Sequence, residues 1–325
     1  MSAIPLPRQR VLENGLRVVF VEVPHLHTAS AGLFIHAGPR FEAPEDSGLS
    51  HFLEHMLFRG NALCPSSYEL NLAFERIGSG LHGETGLDYS LFQYSFAPDA
   101  LRQGLELLAA LASSPLFEGV ELERRLIIEE SFEDLSESGE EINGADLVRS
   151  LAYPNQPFSQ RILGPRHRVD AFDEKDLRRH FARSLGARNA VLAIAGALPA
   201  QQVFEAAERC MGGLPAGSEL VAAAASPIQT RPAFQHVHDS SSQCQVQLLW
   251  AGPGQDEADY VAMQAISRAI DDGMATRLHY RICDQLGLAY DLGASLDGYR
   301  DTSCFEVEGQ CSPDKVPALL EAIRE

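Results

Sequence analysis

The sequence lacks the features that mark membrane proteins and nucleic-acid-binding proteins. No apolar run reaches the ~18 residues that a membrane-spanning helix needs. The first residues, MSAIPLPRQRVLENGLRVVF, contain no basic segment followed by an apolar one, so we expect no signal peptide. Basic side chains are few, with 26 Lys and Arg against 45 Asp and Glu, and the formal net charge is -19. Such a surface has little with which to neutralise phosphates, so nucleic acid is not an expected partner. Without a spanning run, a membrane is not an expected partner either.

Cysteine is scarce and follows no pattern. The chain of 325 residues contains no C-x-x-C pair, which is typical of reduced thiols in the core of a cytoplasmic protein. The six cysteines are Cys64, Cys210, Cys244, Cys283, Cys304 and Cys311. Hydrophobic residues make up 45% of the composition, enough for a sizeable core, and the length fits two domains of ordinary size. We therefore expect a folded, cytoplasmic protein.

Hydrophobic periodicity and turn residues predict an alternation of strands and helices. The β-rich run LRVVFVEV predicts a strand at 16–23, and further strands are predicted at 29–37, 80–85, 89–96 and 190–195. Helical spacing of apolar residues predicts helices at 49–58, 66–77, 98–111, 120–135 and 199–211. Strands and helices are interspersed along the chain, which indicates a fold that contains both.

A faint internal repeat divides the chain. The segment 90–111, SLFQYSFAPDALRQGLELLAAL, resembles the segment 304–323, CFEVEGQCSPDKVPALLEAI. Each is a strand, then Pro-Asp, then an amphipathic helix, and Pro98 corresponds to Pro313 at an offset of 215 residues. Residues 215–230, PAGSELVAAAASPIQT, have the composition of a linker. The expected domains are therefore 1–214 and 231–325, and the latter is only the N-terminal part of a second homologous domain.

Two histidines and a glutamate crowd into the helix predicted at 49–58. In SHFLEHMLF, His51 and His55 are four residues apart and Glu54 is three from His51, so all three share one helix face. Two neutral imidazoles at this spacing can bind one Zn²⁺ at ~2.0–2.1 Å each. The ion lowers the pKa of water toward ~7, and the neighbouring carboxylate can then take the proton. H-x-x-E-H is the inverted form of the zincin motif.

The same three side chains also fit an ordinary amphipathic helix with a solvated polar face. Apolar residues stand between them, namely Phe52, Leu53, Met56 and Leu57. These neighbours favour a buried helix, and buried histidines and carboxylates need partners. The surroundings of the motif therefore favour a metal site over a solvated face.

A catalytic zinc needs a third protein ligand, for which the segment ELERRLIIEESFEDL offers acidic residues. Glu123 and Glu130 are seven residues apart and share a helix face. Glu130 could therefore bind the metal while Glu123 orients one of its ligands. Glu129 points about 100° away. A solvated acidic helix is the alternative interpretation, and these residues alone leave both open.

Together these motifs resemble the pitrilysin and insulinase zinc peptidases, which are inverzincins, and particularly the subfamily of mitochondrial processing peptidase. The matching segments are LENGLRV, HAGPRFE, GLSHFLEHMLFRG and, 75 residues after His55, the last glutamate of ERRLIIEE. The resemblance implies His51, His55 and Glu130 as zinc ligands, Glu54 as the catalytic base and Glu123 as a residue that orients a ligand. It also implies an α+β fold of two homologous domains, each a mainly antiparallel sheet with helices packed on one side.

The resemblance further implies that an extended peptide substrate adds its backbone to an edge strand. The matching residues are Gly80, Leu81, His82, Gly83, Glu84 and Thr85. Family members usually have Asn-Ala in place of His82 and Gly83. In active single-chain members, an Arg and a Tyr of the second domain also reach the peptide. Tyr290 matches the tyrosine, but Cys283 occupies the arginine position, and Arg281 would face another side of its helix.

Zn²⁺ is therefore the expected cofactor, and the expected activity is that of a zinc endopeptidase acting on extended peptides or small proteins. A cysteine cannot make the bidentate contact of a guanidinium, so the missing arginine predicts an enzyme of two subunits. This chain would hold the zinc. A homologous second subunit, or a second copy of this chain in a homodimer, would provide the Arg–Tyr pair. The alternative is a non-catalytic structural subunit of the same fold.

Overall fold

A computed structural model describes residues 6–225 and 232–325, and these divide into two compact units. The first unit comprises the described residues of Met1–Ser131 and Gln160–Ala223, and the second comprises those of Phe132–Ser159 and Ala224–Glu325. The chain therefore passes between the units three times. The predicted linker at 215–230 includes the last of these passages, although its residues 226–230 lie outside the described part. The assignment of residues 132–159 to the second unit has no counterpart in the sequence prediction.

The described residues form nine strands and eleven α-helices. The strands are β1 (Arg8–Val11), β2 (Arg17–Glu22), β3 (Ala29–Ile35), β4 (His82–Thr85), β5 (Ser90–Phe96), β6 (Ala190–Gly196), β7 (Cys244–Gly252), β8 (Asp291–Gly298) and β9 (Ser303–Cys311). The helices are α1 (Leu49–Leu57), α2 (Ser67–Glu75), α3 (Leu101–Ser113), α4 (Val120–Ser131), α5 (Gly144–Ala152), α6 (Arg166–Val169), α7 (Glu174–Ser184), α8 (Ala200–Met211), α9 (Tyr260–Ile270), α10 (Arg277–His279) and α11 (Val316–Arg324).

The first unit is built on a six-stranded sheet in the order β1-β2-β6-β3-β5-β4. All neighbouring strands are antiparallel except β2 and β6, which are parallel. Along β3, Leu33 and Ile35 are buried while Phe34 between them is 40% exposed, which is the alternation of a sheet with one covered face. Strand β4 lies at the edge of this sheet and pairs with β5 alone among the described strands.

Helix α1 is held in the core of the first unit by its apolar face. Phe52 and Met56 are completely buried, and Leu53 and Leu57 are nearly so. They belong to the same hydrophobic cluster as the covered face of the sheet, and α1 also packs against α4 and α7. Burying one side chain of this size contributes ~1.5–3 kcal/mol. The polar residues that alternate with these apolar ones are therefore carried on a firmly anchored helix.

The second unit contains a three-stranded antiparallel sheet in the order β7-β9-β8. Helix α5 packs against β7, and α9 and α10 pack against β8. Its smaller core includes Ile282, Val307 and Leu319, all almost fully buried. Directly after α10, the residues Tyr280–Gln285 form a π-helix.

The two segments of the internal repeat have the same local structure. In the first unit, β5 is followed by a 3₁₀ turn at Pro98–Ala100 and then by α3. In the second unit, β9 is followed by a 3₁₀ turn at Pro313–Lys315 and then by α11. The segment 98–111 that was predicted as one helix is therefore a 3₁₀ turn, Pro98–Ala100, that leads into α3.

Several predicted bounds differ from the observed ones. The helix predicted at 120–135 ends at Ser131, where the chain leaves the first unit and turns through a 3₁₀ segment, Phe132–Asp134. Helix α7 was not predicted, although Asp173 and Asp176 form a capping box at its start, and that signal is readable in the sequence. Among the described residues, no helix is long and apolar enough to cross a membrane.

Candidate metal centre

The helix that carries the histidines begins at a buried carboxylate. Its N-cap residue, Gly48, has a φ of 94° and no side chain with which to cap α1. Instead, the N–H groups of Gly48 and Ser50 donate to the two carboxylate oxygens of Glu42, at 2.9 and 2.6 Å. Burial raises the pKa of Glu42 to about 7, although these hydrogen bonds oppose the rise. Glu42 thus fixes the start of α1 immediately before His51.

His51, His55 and Glu130 converge on one point between α1 and α4. One ligand atom from each lies within 4.8 Å of the others. Glu130 Oε1 is 3.7 Å from His51 Nε2, and Glu130 Oε2 is 3.5 Å from His55 Nε2. Two ligands bound to one tetrahedral zinc at ~2.1 Å lie roughly 3.4 Å apart. The donor types and their spacing therefore fit a zinc ion with one coordination position left open.

The charges at this point suit a cation. Burial, together with the nearby His55, lowers the pKa of His51 to about 4, so its imidazole is neutral and free to act as a ligand. Burial also lowers the pKa of His55, but hydrogen bonds with Glu123 and Glu130 outweigh burial and raise it to about 9. The hydrogen bond from His55 in turn lowers the pKa of Glu130. Two carboxylates thus face the histidines, and their negative charge favours a bound metal ion.

Glu123 contacts the far side of the His55 ring. The Nδ1–H group of His55 donates to Glu123 Oε2 at 3.2 Å, which leaves Nε2 directed at Glu130. Glu123 is only 5% exposed, so its carboxylate is fixed by the packing of α4 against α1. A carboxylate behind a metal-binding histidine sets both the tautomer and the orientation of the ring.

Glu54 lies beside the three converging residues without joining them. The Thr85 hydroxyl donates to Glu54 Oε2, and Glu54 is not among the side chains whose ligand atoms converge. Burial raises the pKa of Glu54, against the lowering effect of the Thr85 hydrogen bond. The backbone at Gly83 comes so close that a Cβ there would lie 2.8 Å from Glu54 Oε1. Strand β4 therefore holds this carboxylate in place.

The strand predicted to receive a peptide is shorter than expected. It begins at His82, so Gly80 and Leu81 precede it, and it pairs with β5 from His82↔Gln93 to Thr85↔Ser90. An open pocket of about 260 Å³ lies between this strand and α1. It is lined by Glu54, His55, Phe58, Arg59, Ser67, Leu81, His82, Gly83 and Glu123. The pocket thus joins the edge strand to His55 and Glu54.

The remaining predicted residues belong to the second unit. Tyr290 is 94% exposed and directly precedes β8. Cys283 is half-buried and packs against the core of this unit, while the guanidinium of Arg281 lies 3.2 Å from the Glu325 carboxylate. Arg281 and Cys283 therefore point in different directions within this unit, as their spacing on a helix predicts.

Some residues of the site were not predicted from the sequence. Glu42, Arg59 and the hydroxyl of Thr85 all act through contacts that only the folded chain creates. For Arg59 a signal was available, because it stands four residues after His55 and so continues the same helix face. Arg59 Nη1 lies 3.3 Å from Glu123 Oε1.

A buried histidine supports α1 from behind and makes folding sensitive to acid. His180 of α7 is 3% exposed, and its Nε2 lies 3.0 Å from Ser50 Oγ. Burial, reinforced by the charges of Arg183 and Arg179, lowers its pKa from 6.5 to about 4. The contribution of buried, neutral His180 to the free energy of unfolding is therefore fully present above pH 6.5 and is lost as the pH falls toward 4.

Replacing His180 by glutamine should remove one contribution to the loss of stability in acid. Between pH 7 and pH 5, protonation of His180 in the unfolded chain should cost the wild-type protein about 2 kcal/mol of its free energy of unfolding. Urea unfolding of the two metal-free proteins at both pH values isolates this contribution, because the other titrating groups are common to both, and the loss from pH 7 to pH 5 should be about 2 kcal/mol larger in the wild type than in His180→Gln. Equal pH dependence in both proteins would contradict the assignment.

Comparisons with known sequences match both halves of the chain. The family described as insulinase (peptidase family M16) matches residues 17–166, and the peptidase M16 inactive domain matches residues 171–325. An uncharacterised zinc protease of Streptomyces coelicolor is 25% identical over 98% of this chain and 70% of its own length. The mitochondrial-processing peptidase subunit beta of Saccharomyces cerevisiae is 28% identical over 72% of this chain and 50% of its own length.

Solved structures show the same fold. A protease from Helicobacter pylori aligns with a TM-score of 0.87 at 21% identity, over 98% of this chain and 80% of its own. The peptidase M16 inactive domain from Pseudomonas fluorescens aligns with a TM-score of 0.89 at 18% identity, over 98% of this chain and 78% of its own. The chain belongs to the insulinase family of peptidases, M16. The predicted family and the predicted α+β fold are both confirmed.

Proposed function

We propose that this chain is a zinc-dependent endopeptidase that cleaves extended peptides or small proteins, and that it is the zinc-bearing subunit of a two-subunit enzyme. One observation carries the proposal: the donor atoms of His51, His55 and Glu130 lie within 4.8 Å of one another, with the separate Glu54 carboxylate beside them. Relatives named zinc proteases support zinc as the cofactor. In this assignment the first three residues are the metal ligands and Glu54 is the base.

The chain's own residues would divide the work of peptide hydrolysis. Zinc, when bound by His51, His55 and Glu130, polarises the scissile carbonyl and makes water more acidic. Glu54, held by the Thr85 hydroxyl, takes a proton from the attacking water and later gives it to the leaving amine. The free edge of β4 receives the peptide backbone as an added strand. The adjoining pocket of about 260 Å³ accepts a substrate side chain.

Two observations favour the competing role of a non-catalytic structural subunit. Cys283 stands where active single-chain relatives are expected to have an arginine, and the second half of the chain matches a domain described as inactive. Relatives that have become structural subunits are expected to lose zinc ligands. Here His51, Glu54, His55 and Glu130 all remain, which favours the catalytic role. We also propose a cytoplasmic location, which the six free cysteines support.

The ligand assignment predicts stoichiometric zinc that depends on His55. Elemental analysis of the purified protein should give about one zinc per chain, because two imidazoles and a carboxylate make one site. His55→Ala should lose most of this zinc together with peptide cleavage. The exposed His167 of α6 provides the control, and His167→Ala should keep both. If wild-type protein and His55→Ala hold equal amounts of zinc, the ligand set is wrong.

A further inference from the structure

A row of three side chains leads away from the candidate metal centre toward the end of α1. The Nδ1–H group of His55 donates to Glu123 Oε2 at 3.2 Å. The other carboxylate oxygen, Oε1, lies 3.3 Å from Arg59 Nη1. Each oxygen of Glu123 thus has its own partner, the imidazole on one side and the guanidinium on the other.

We propose that Arg59 is a positioning residue of the metal centre, which fixes the Glu123 carboxylate and through it the His55 imidazole. The inference rests on the proposed ligand set, in which His55 binds the metal through Nε2. It adds two residues to that set: Glu123, which contacts the ligand His55, and Arg59, which contacts Glu123. Partners of this kind tune metal affinity because they hold a ligand in its binding orientation.

The burial of Glu123 explains why a guanidinium is needed. A carboxylate that is only 5% exposed loses most of its hydration, and this cost must be offset by opposite charge and hydrogen bonds. Its ion-pair partners are His55 and Arg59. A neutral imidazole bound to a metal has no charge to offer, so the guanidinium is the permanently charged side chain of this pair. Without Arg59, Glu123 would be free to turn toward solvent or toward the metal.

Arg59 is itself held between the end of α1 and the start of α4. Its backbone N–H donates to the Met56 carbonyl at 3.1 Å, which extends the last turn of α1. Its guanidinium lies over Gly119, where a Cβ would come within 3.4 Å of both Nε and Nη2. The Leu116 N–H also donates to the Gly60 carbonyl at 3.2 Å and ties the two segments together. The guanidinium therefore has a defined location, as a positioning role requires.

The test is the affinity of the full-length protein for zinc, measured by competition with a chelator. Arg59→Met keeps the length of the side chain without its charge, and we expect it to weaken zinc binding about tenfold. Arg59→Lys keeps the positive charge but lacks the planar guanidinium, so it should restore part of the affinity.

Arg125, an exposed arginine of α4, provides the matched control, and Arg125→Met should bind zinc as the wild type does. The absorption spectrum of the Co²⁺-substituted protein should change in Arg59→Met and not in the control.

A double-mutant cycle separates positioning from a general effect on folding. If Arg59 acts through Glu123, then Arg59→Met should have little further effect in a Glu123→Gln background. An unchanged dissociation constant in Arg59→Met, or full additivity with Glu123→Gln, would overturn the inference while leaving the ligand set intact. A wild-type protein that binds no zinc would overturn both this inference and the proposed function. If Arg59→Met does not fold, Arg59→Gln also removes the charge and provides the same comparison.

Discussion

Glu54→Gln should retain zinc and lose peptide turnover by ~10²-fold or more. The amide has the shape of the carboxylate and can still accept the hydrogen bond from Thr85, so the local structure should persist. It cannot take a proton from the attacking water, and that step is the role proposed for Glu54. Burial raises the pKa of this carboxyl group, which brings a carboxylate closer to the range in which it can both accept and return a proton.

The experiment measures zinc content and the rate of cleavage of one peptide substrate on the same protein preparations. Glu129→Gln is the matched control, because Glu129 is an exposed carboxylate on α4 next to Glu130. It should leave both zinc content and turnover unchanged. Loss of zinc in Glu54→Gln would make Glu54 a ligand instead of a base. Unchanged cleavage by a zinc-loaded Glu54→Gln protein would assign the proton transfer to another group.

The local part of the site could be predicted from the sequence because it depends on helix geometry. The four-residue spacing of His51 and His55 places both imidazoles on one face of α1, and the apolar residues between them predict that the helix is buried. Spacing also places Glu123 and Glu130 on one face of α4. It does not say that α4 packs against α1, and that step came from the resemblance to a family.

The contacts that orient the site could not be predicted, because they join residues far apart in the sequence. Thr85 reaches Glu54 from an edge strand, and Arg59 reaches Glu123 across 64 residues. Such pairs depend on how β4 and α4 pack against α1, which hydrophobic periodicity does not determine. The passage of residues 132–159 into the second unit was missed for the same reason. Helix α5 of this segment packs against β7, which begins 100 residues after α5 begins.

The isolated chain should be a slow peptidase that a homologous second subunit accelerates about 10²-fold, because a scissile bond misplaced by about 1 Å can cost that factor. The family resemblance implies that an arginine and a tyrosine of a second domain help to hold the peptide. In this chain Tyr290 is 94% exposed and available, but Cys283 packs against the core of its unit and has no guanidinium. The isolated chain would then have the zinc-binding residues but would lack some of the contacts that position the peptide substrate.

The partner prediction is tested by comparing peptide turnover by the isolated chain with turnover by a mixture of the chain and a homologue. The homologue should carry the Arg–Tyr pair and lack the H-x-x-E-H motif. The mixture should be faster, and the gain should disappear when the arginine of the homologue is replaced by alanine, because the alanine cannot make a bidentate contact with the peptide. The Glu54→Gln chain in the same mixture should stay inactive. That result would assign the catalytic step to this chain and part of the substrate binding to its partner.

Specific activity that rises with the concentration of the isolated chain would indicate a homodimer instead. If the isolated chain already works at full rate at every concentration and the homologue adds nothing, the two-subunit proposal is wrong.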